Sequence, residues 1–167
     1  IVDDHPMMRE ALRTAFEGED DLEMIGEAPD AIKALKMLET LKPDVIMMDM
    51  LLPEMSGLEA IEKILQADPE AKILVLSSME DEERIVSAIQ AGALGYFPKT
   101  ASRMYLLEAI RRVADGVPYM PAGITLKLFQ GIRRIKSVQP KNDMQVPLTS
   151  RQQEILSLLS EGRSDDK

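Results

Sequence analysis

The chain has 167 residues, of which 45% are hydrophobic and 29% are charged, and it carries a net charge of −9. This length is typical of one domain plus an additional segment, because domains cluster at about 100–150 residues. The absence of cysteine excludes disulfides and thiolate metal sites. No apolar run reaches the roughly 18–20 residues of a membrane-spanning helix, so we expect a cytoplasmic protein that does not contact membranes.

Apolar runs with strand character alternate with helical patterns over residues 1–117. The predicted strands are the strand tail at 1–2 and the segments 22–28, 44–48, 72–76 and 94–97. The predicted helices are 9–16, 31–41, 57–67, 82–91 and 103–114. This alternation predicts an α/β domain with a five-stranded parallel, doubly wound sheet that carries helices on both faces.

The pattern changes after Gly116, where prolines and a basic amphipathic segment follow. We expect a linker over 118–147 that contains a helix over 121–135. Residues 148–167 begin a new amphipathic helix, which Thr149 or Ser150 can cap. We therefore assign 1–117 to a first domain that begins within its first strand.

Charge separates the same two parts of the chain. Residues 1–123 carry a net charge of −12, whereas residues 124–167 carry a net charge of +3. An acidic body repels nucleic acid, while a basic segment is compatible with it. The asymmetry suggests two modules with different partners.

Polar side chains stand at the carboxyl ends of the predicted strands. They are Asp3 and Asp4 after the first strand, Asp49 after the third, Ser77 after the fourth and Lys99 after the fifth. In open parallel sheets the functional site lies beyond these ends. Crowded carboxylates need a cation among them, and oxygen ligands suit Mg²⁺. An ammonium and a hydroxyl can bind phosphoryl oxygens, so the group predicts phosphoryl transfer with Asp49 as nucleophile.

Each of these residues, taken alone, also suits a helix cap, a turn or an exposed position. Their joint placement favours chemistry over those roles. His5, the one histidine, is interpreted as a helix-start residue rather than as a phosphodonor or metal ligand.

Four motifs resemble the receiver domain of two-component response regulators. They are Val-Asp-Asp-His-Pro at 2–6, Met-Met-Asp-Met-Leu-Leu-Pro-Glu-Met-Ser-Gly at 47–57, Leu-Ser-Ser at 76–78 and Gly-Ala-Leu-Gly-Tyr-Phe-Pro-Lys at 92–99. The resemblance covers residues 1–117 and implies a flavodoxin-like fold. It also implies that Asp49 is the phosphoacceptor, and that Asp3 and Asp4 hold Mg²⁺ together with Asp49 and the backbone carbonyl of Leu51.

The same resemblance implies roles for three further side chains. Ser77 would be the switch hydroxyl, Tyr96 the switch aromatic residue and Lys99 the lysine that pairs with the phosphoryl group. A sensor histidine kinase would supply that group. The receiver would catalyse its own Mg²⁺-dependent phosphorylation and dephosphorylation, without acting as an enzyme on other substrates.

Residues 148–162 resemble the opening of a LuxR-type helix-turn-helix domain: Leu-Thr-Ser-Arg-Gln-Gln-Glu-Ile-Leu-Ser-Leu-Leu-Ser-Glu-Gly. Together with His5 and Pro6, this points to the NarL/FixJ family of response regulators. The resemblance implies transcription regulation through a DNA-binding domain, and a homodimer that forms on phosphorylation. We expect no specific DNA binding by residues 1–167 alone, because the recognition helix would follow Lys167.

Two other functions fit parts of this pattern. A phosphohydrolase with an aspartyl-phosphate usually has a second carboxylate two residues after the nucleophile, where this chain has Leu51. A stand-alone phosphorelay receiver without DNA output would not need the helix predicted after residue 148.

Overall fold

The computed structural model describes residues 1–78 and 82–138 of the chain. Its helices are α1 Pro6–Phe16, α2 Ala31–Leu38, α3 Gly57–Ala67, α4 Glu82–Gln90, α5 Arg103–Ala114 and α6 Ala122–Val138. Its strands are β1 Ile46–Asp49, β2 Ile73–Ser77 and β3 Gly95–Pro98. The helix predicted from residue 148 onward lies outside the described residues. In the part described, no helix combines the length and apolar character needed to cross a membrane.

The three strands form a parallel sheet in the order β1-β2-β3. Every residue of these strands is buried, as expected for a parallel sheet with helices on both faces. The nearly continuous apolar runs at 44–48 and 72–76 therefore identified the centre of the sheet correctly. The architecture is the flavodoxin-like arrangement of a parallel sheet and helices.

Two of the five predicted strands are not formed as strands in this structure. Val2 makes single parallel bridges to Ala28 and to Met48, and the rest of 22–28 is irregular. Backbone hydrogen bonds join Ile1 to Gly26 and Ala28, and Asp3 to Ala28. An open groove of 640 Å³ separates this segment from 43–47.

Local signals in the sequence explain where the helices begin. Helix α1 begins at Pro6, earlier than the predicted Arg9, because the fixed φ of proline suits the first helical position. His5 occupies the N-cap of that helix, as expected of a helix-start residue. In α3, Ser56 and Glu59 form a reciprocal capping box.

The segment after α5 pairs with the edge of the sheet and then continues into α6. Tyr119 forms a parallel bridge with Gly95 at the edge of β3, and its backbone accepts a hydrogen bond from the Tyr96 N–H at 3.0 Å. Helix α6 then packs on α4, burying Ile124 and Leu128 in the common core. The linker helix is therefore part of the packed body in the described residues.

Candidate functional site

The carboxyl ends of the three strands meet at one edge of the sheet. Asp49 ends β1 opposite Leu76, and Ser77 ends β2 opposite Pro98. Lys99 follows directly, and its backbone N–H donates to the Ser77 carbonyl at 2.8 Å. The register of the sheet thus brings three of the predicted site residues to adjacent positions.

A buried ion-pair triad lies at this edge. The Lys99 ammonium donates to Asp3 Oδ2 at 2.7 Å and to Asp49 Oδ2 at 2.5 Å. The exposed fractions of these side chains are 9% for Lys99, 0% for Asp3 and 3% for Asp49. Asp3 and Asp49 are therefore held beside each other by a shared cation, as buried carboxylates require.

The environment of Lys99 acts on its pKa in two directions. Burial lowers the pKa of this ammonium, while its hydrogen bonds to Asp3 and Asp49 raise it, and the net shift is upward from 10.5. Lys99 is consequently a permanent cation at neutral pH. It is placed to neutralise anionic oxygens at this end of the sheet.

We call Asp3, Asp4, His5 and Asp49 the acidic group. Asp4 and His5 form its more exposed side. Ligand atoms of Asp3, Asp4, His5 and Asp49 all lie within 4.8 Å of one another. The Asp4 Oδ1 atom is buried and lies 2.7 Å from Nδ1 of His5, an ion pair when the imidazole is protonated. Carboxylate oxygens this close together fit a site that coordinates a cation. The sequence interpretation did not anticipate this close position of the His5 ring.

The loop after β1 packs tightly around Asp49. The backbone N–H of Leu51 donates to Asp49 Oδ1 at 3.2 Å, while the Leu51 side chain is 46% exposed. Gly57 is required by a close approach, because a Cβ at this position would lie 2.0 Å from the Asp49 carbonyl oxygen. Glu54, within the same loop, has a φ of 64°, a conformation that costs free energy for a residue with a Cβ.

The two predicted switch residues lie inside the sheet. Ser77 is buried at the end of β2, and Tyr96 is wholly buried within β3. Sequence reasoning missed Tyr119, whose ring contacts Phe97 with a centroid separation of 6.2 Å and lies under Arg112. Its strand-like pairing with β3 depends on tertiary contacts that no local motif encodes.

Comparison with known proteins identifies the family. The family described as "Response regulator receiver domain" matches residues 1–111. The chain belongs to the response regulator receiver family. The parallel sheet with its helices is therefore that of a receiver domain, and receiver domains are not classical enzymes.

The similarity to known proteins continues beyond residues 1–111, the part that the family matches. The transcriptional regulatory protein LiaR of Bacillus subtilis is 34% identical over 99% of this chain and 77% of its own length. The nitrate/nitrite response regulator protein NarL of Escherichia coli is 31% identical over 97% of this chain and 74% of its own length. A crystal structure of a LuxR-family two-component response regulator from Aurantimonas superposes with a TM-score of 0.74. The two chains are 32% identical, and the superposition covers 80% of this chain and 94% of the Aurantimonas chain.

Proposed function

We propose that this response regulator accepts a phosphoryl group on Asp49 from a sensor histidine kinase and controls transcription through a C-terminal DNA-binding domain. The observation that carries the proposal is the triad in which Lys99 bonds both Asp3 and the buried Asp49. A cation already placed against the acceptor carboxylate can neutralise an incoming phosphoryl group. Family membership supports the same reading.

The acidic group fits a bound Mg²⁺. Asp3, Asp4 and Asp49 offer hard oxygen ligands that lie within 4.8 Å of one another. We assign these carboxylates and the backbone carbonyl of Leu51 as its ligands. When bound, the ion supplies charge neutralisation for the transferring phosphoryl oxygens.

Asp49, Lys99 and Ser77 have separate roles in the transfer of the phosphoryl group. A carboxylate oxygen of Asp49 forms a bond to phosphorus as the N–P bond of the kinase phosphohistidine breaks. The electron pair of that bond returns to the imidazole nitrogen, which takes a proton from solvent. Lys99 pairs with a phosphoryl oxygen and the Ser77 hydroxyl donates to another, so the receiver catalyses its own modification.

Ser77 and Tyr96 would carry the change in phosphorylation to the rest of the protein. Ser77 ends the strand next to Asp49, and Tyr96 lies on the neighbouring strand with its backbone bonded to Tyr119. A hydrogen bond from the Ser77 hydroxyl to a phosphoryl oxygen would shift the equilibrium between two arrangements of these buried groups. The site is thus coupled to the segment that leads into α6.

We infer the following domain organisation for the chain. Residues 1–117 form the receiver, with a five-stranded sheet once the segments bridged through Val2 are counted as strands. Residues 118–147 form the linker, and 148–167 begin an all-α helix-turn-helix domain. Relatives named as transcriptional regulatory proteins support this output. Under this proposal the protein acts in the cytoplasm, and the full-length protein dimerises on phosphorylation.

Phosphorylation of the purified chain tests the site assignment. The protein is incubated with Mg²⁺ and acetyl phosphate, and the mass increase of the intact chain is measured. We expect one phosphoryl group on the wild type and on Asp68→Asn, a control at an exposed aspartate. Asp49→Asn should remove the modification. Normal labelling of that variant would show that another residue is the acceptor.

A further inference from the structure

The backbone that leads to the two aspartates is hydrogen-bonded as far as the Asp3 N–H. The Val2 N–H donates to the Met47 carbonyl at 2.8 Å, and the Val2 carbonyl accepts from the Asp49 N–H at 2.9 Å. The Asp3 N–H donates to the Ala28 carbonyl at 3.1 Å, and the His5 N–H donates to Asp3 Oδ1 at 2.8 Å. The next peptide, between Asp3 and Asp4, is bonded through the Asp3 carbonyl, which accepts from a side chain of α1.

Arg9 holds that carbonyl from the first turns of α1. Its Nη1 donates to the Asp3 carbonyl oxygen at 2.7 Å, and its Nε lies 3.8 Å from Oε2 of Glu27. The Arg9 side chain is only 16% exposed. Glu27 immediately precedes Ala28, the residue that bridges Val2. One guanidinium thus joins α1, the first strand segment and the segment 22–28.

We propose that Arg9 is a positioning residue for the cation site. By fixing the Asp3 carbonyl, it holds the Asp3 carboxylate toward Lys99 and the following Asp4 carboxylate within the acidic group. Groups that orient metal ligands through a single hydrogen bond have large effects on metal affinity. This inference rests on the proposed Mg²⁺ site and assigns it a residue that touches neither the ion nor the phosphoryl group.

The sign of the change in Mg²⁺ affinity after replacement of Arg9 distinguishes a positioning role from an electrostatic one. A guanidinium near three carboxylates opposes cation binding electrostatically, so its removal would tighten Mg²⁺ binding if charge alone mattered. If Arg9 positions the ligands, its removal releases the Asp3–Asp4 peptide and weakens Mg²⁺ binding. The two roles predict changes of opposite sign.

Arg13 provides a matched control on the same helix. It lies one turn after Arg9 and contacts the same Glu27, at 2.9 Å, as well as Glu10 at 2.6 Å. Its side chain is 46% exposed, and within the described residues it pairs with these two glutamates rather than with Asp3. Replacing Arg13 therefore removes a comparable charge and a comparable ion pair but leaves the Asp3 carbonyl bonded.

Calorimetric titration of the 167-residue chain with Mg²⁺ tests the proposal. We expect Arg9→Met to weaken Mg²⁺ binding by about tenfold or more, the range seen when ligand-orienting partners are removed. Arg13→Met should bind Mg²⁺ as the wild type does, or more tightly. Wild-type or tighter affinity in Arg9→Met would overturn the positioning role.

Arg9→Lys keeps the charge and most of the packing, and serves if Arg9→Met does not fold. An ammonium lacks the rigid fork of donors with which Arg9 reaches the Asp3 carbonyl and Glu27, so we expect affinity between those of wild type and Arg9→Met. Wild-type affinity in Arg9→Lys would contradict the positioning role of the guanidinium. If the wild-type chain itself bound no Mg²⁺, the proposed cation site would fail, and this inference with it.

Discussion

The ammonium nitrogen of Lys99 lies 2.5 Å from Oδ2 of Asp49, the atom pair that closes the buried triad. The same nitrogen is 2.7 Å from Oδ2 of Asp3. An oxygen of Asp49 that forms a bond to phosphorus loses most of its negative charge. The ammonium is then drawn toward the phosphoryl oxygens, so phosphorylation must rearrange this triad.

Lys99→Met should destabilise the metal-free protein, because it leaves two buried carboxylates without their cation. We expect a loss of about 3 kcal/mol in the free energy of unfolding. The pKa of Lys99 is raised above 10.5 in the folded state, so its contribution is complete below that pH and is lost as pH rises through the raised pKa. The difference between wild type and variant should be constant from neutral pH to about pH 9 and shrink above 10.5.

Urea unfolding at several pH values, with a chelator present, measures this difference. Lys63→Met removes an exposed lysine from α3 and serves as the control; its effect should be small at every pH. A Lys99→Met variant as stable as wild type at neutral pH would contradict the role of the triad in the fold.

Gly57→Ala should cost stability because backbone atoms block the added methyl group. The new Cβ would lie 2.0 Å from the Asp49 carbonyl oxygen and 2.8 Å from the Met50 Cα. Neither atom can move without shifting β1, so we expect a loss of about 1–3 kcal/mol and slower phosphorylation. Gly123→Ala in α6 meets nothing within 4 Å and should instead stabilise the protein by up to about 1 kcal/mol. Equal urea midpoints for the two variants would refute the close approach at Gly57.

The sequence predicted the centre of this fold better than its edges. The apolar runs that became β1 and β2 identified the sheet, and the rule that sites lie beyond strand ends brought Asp49 and Lys99 together. The segment 22–28 has strand-like residues but is bridged only at Ala28, which pairs with Val2. Arg9 and Tyr119 were missed because their roles come from tertiary hydrogen bonds, which side-chain periodicity does not encode.

The aspartyl-phosphate on Asp49 should be long-lived, because its hydrolysis needs a water molecule in line with the phosphorus. Leu51 lies beside the acceptor, with its N–H on Asp49 Oδ1 at 3.2 Å, and its side chain cannot orient water. Met79, two residues after Ser77, lies outside the described residues and is equally unable to do so. A loss of orientation worth about 1.4 kcal/mol slows hydrolysis tenfold. Leu51→Asn combined with Met79→Glu should therefore release phosphate faster, while Leu51→Met should not. An unchanged rate of phosphate release from the folded, fully phosphorylated double variant would contradict this explanation.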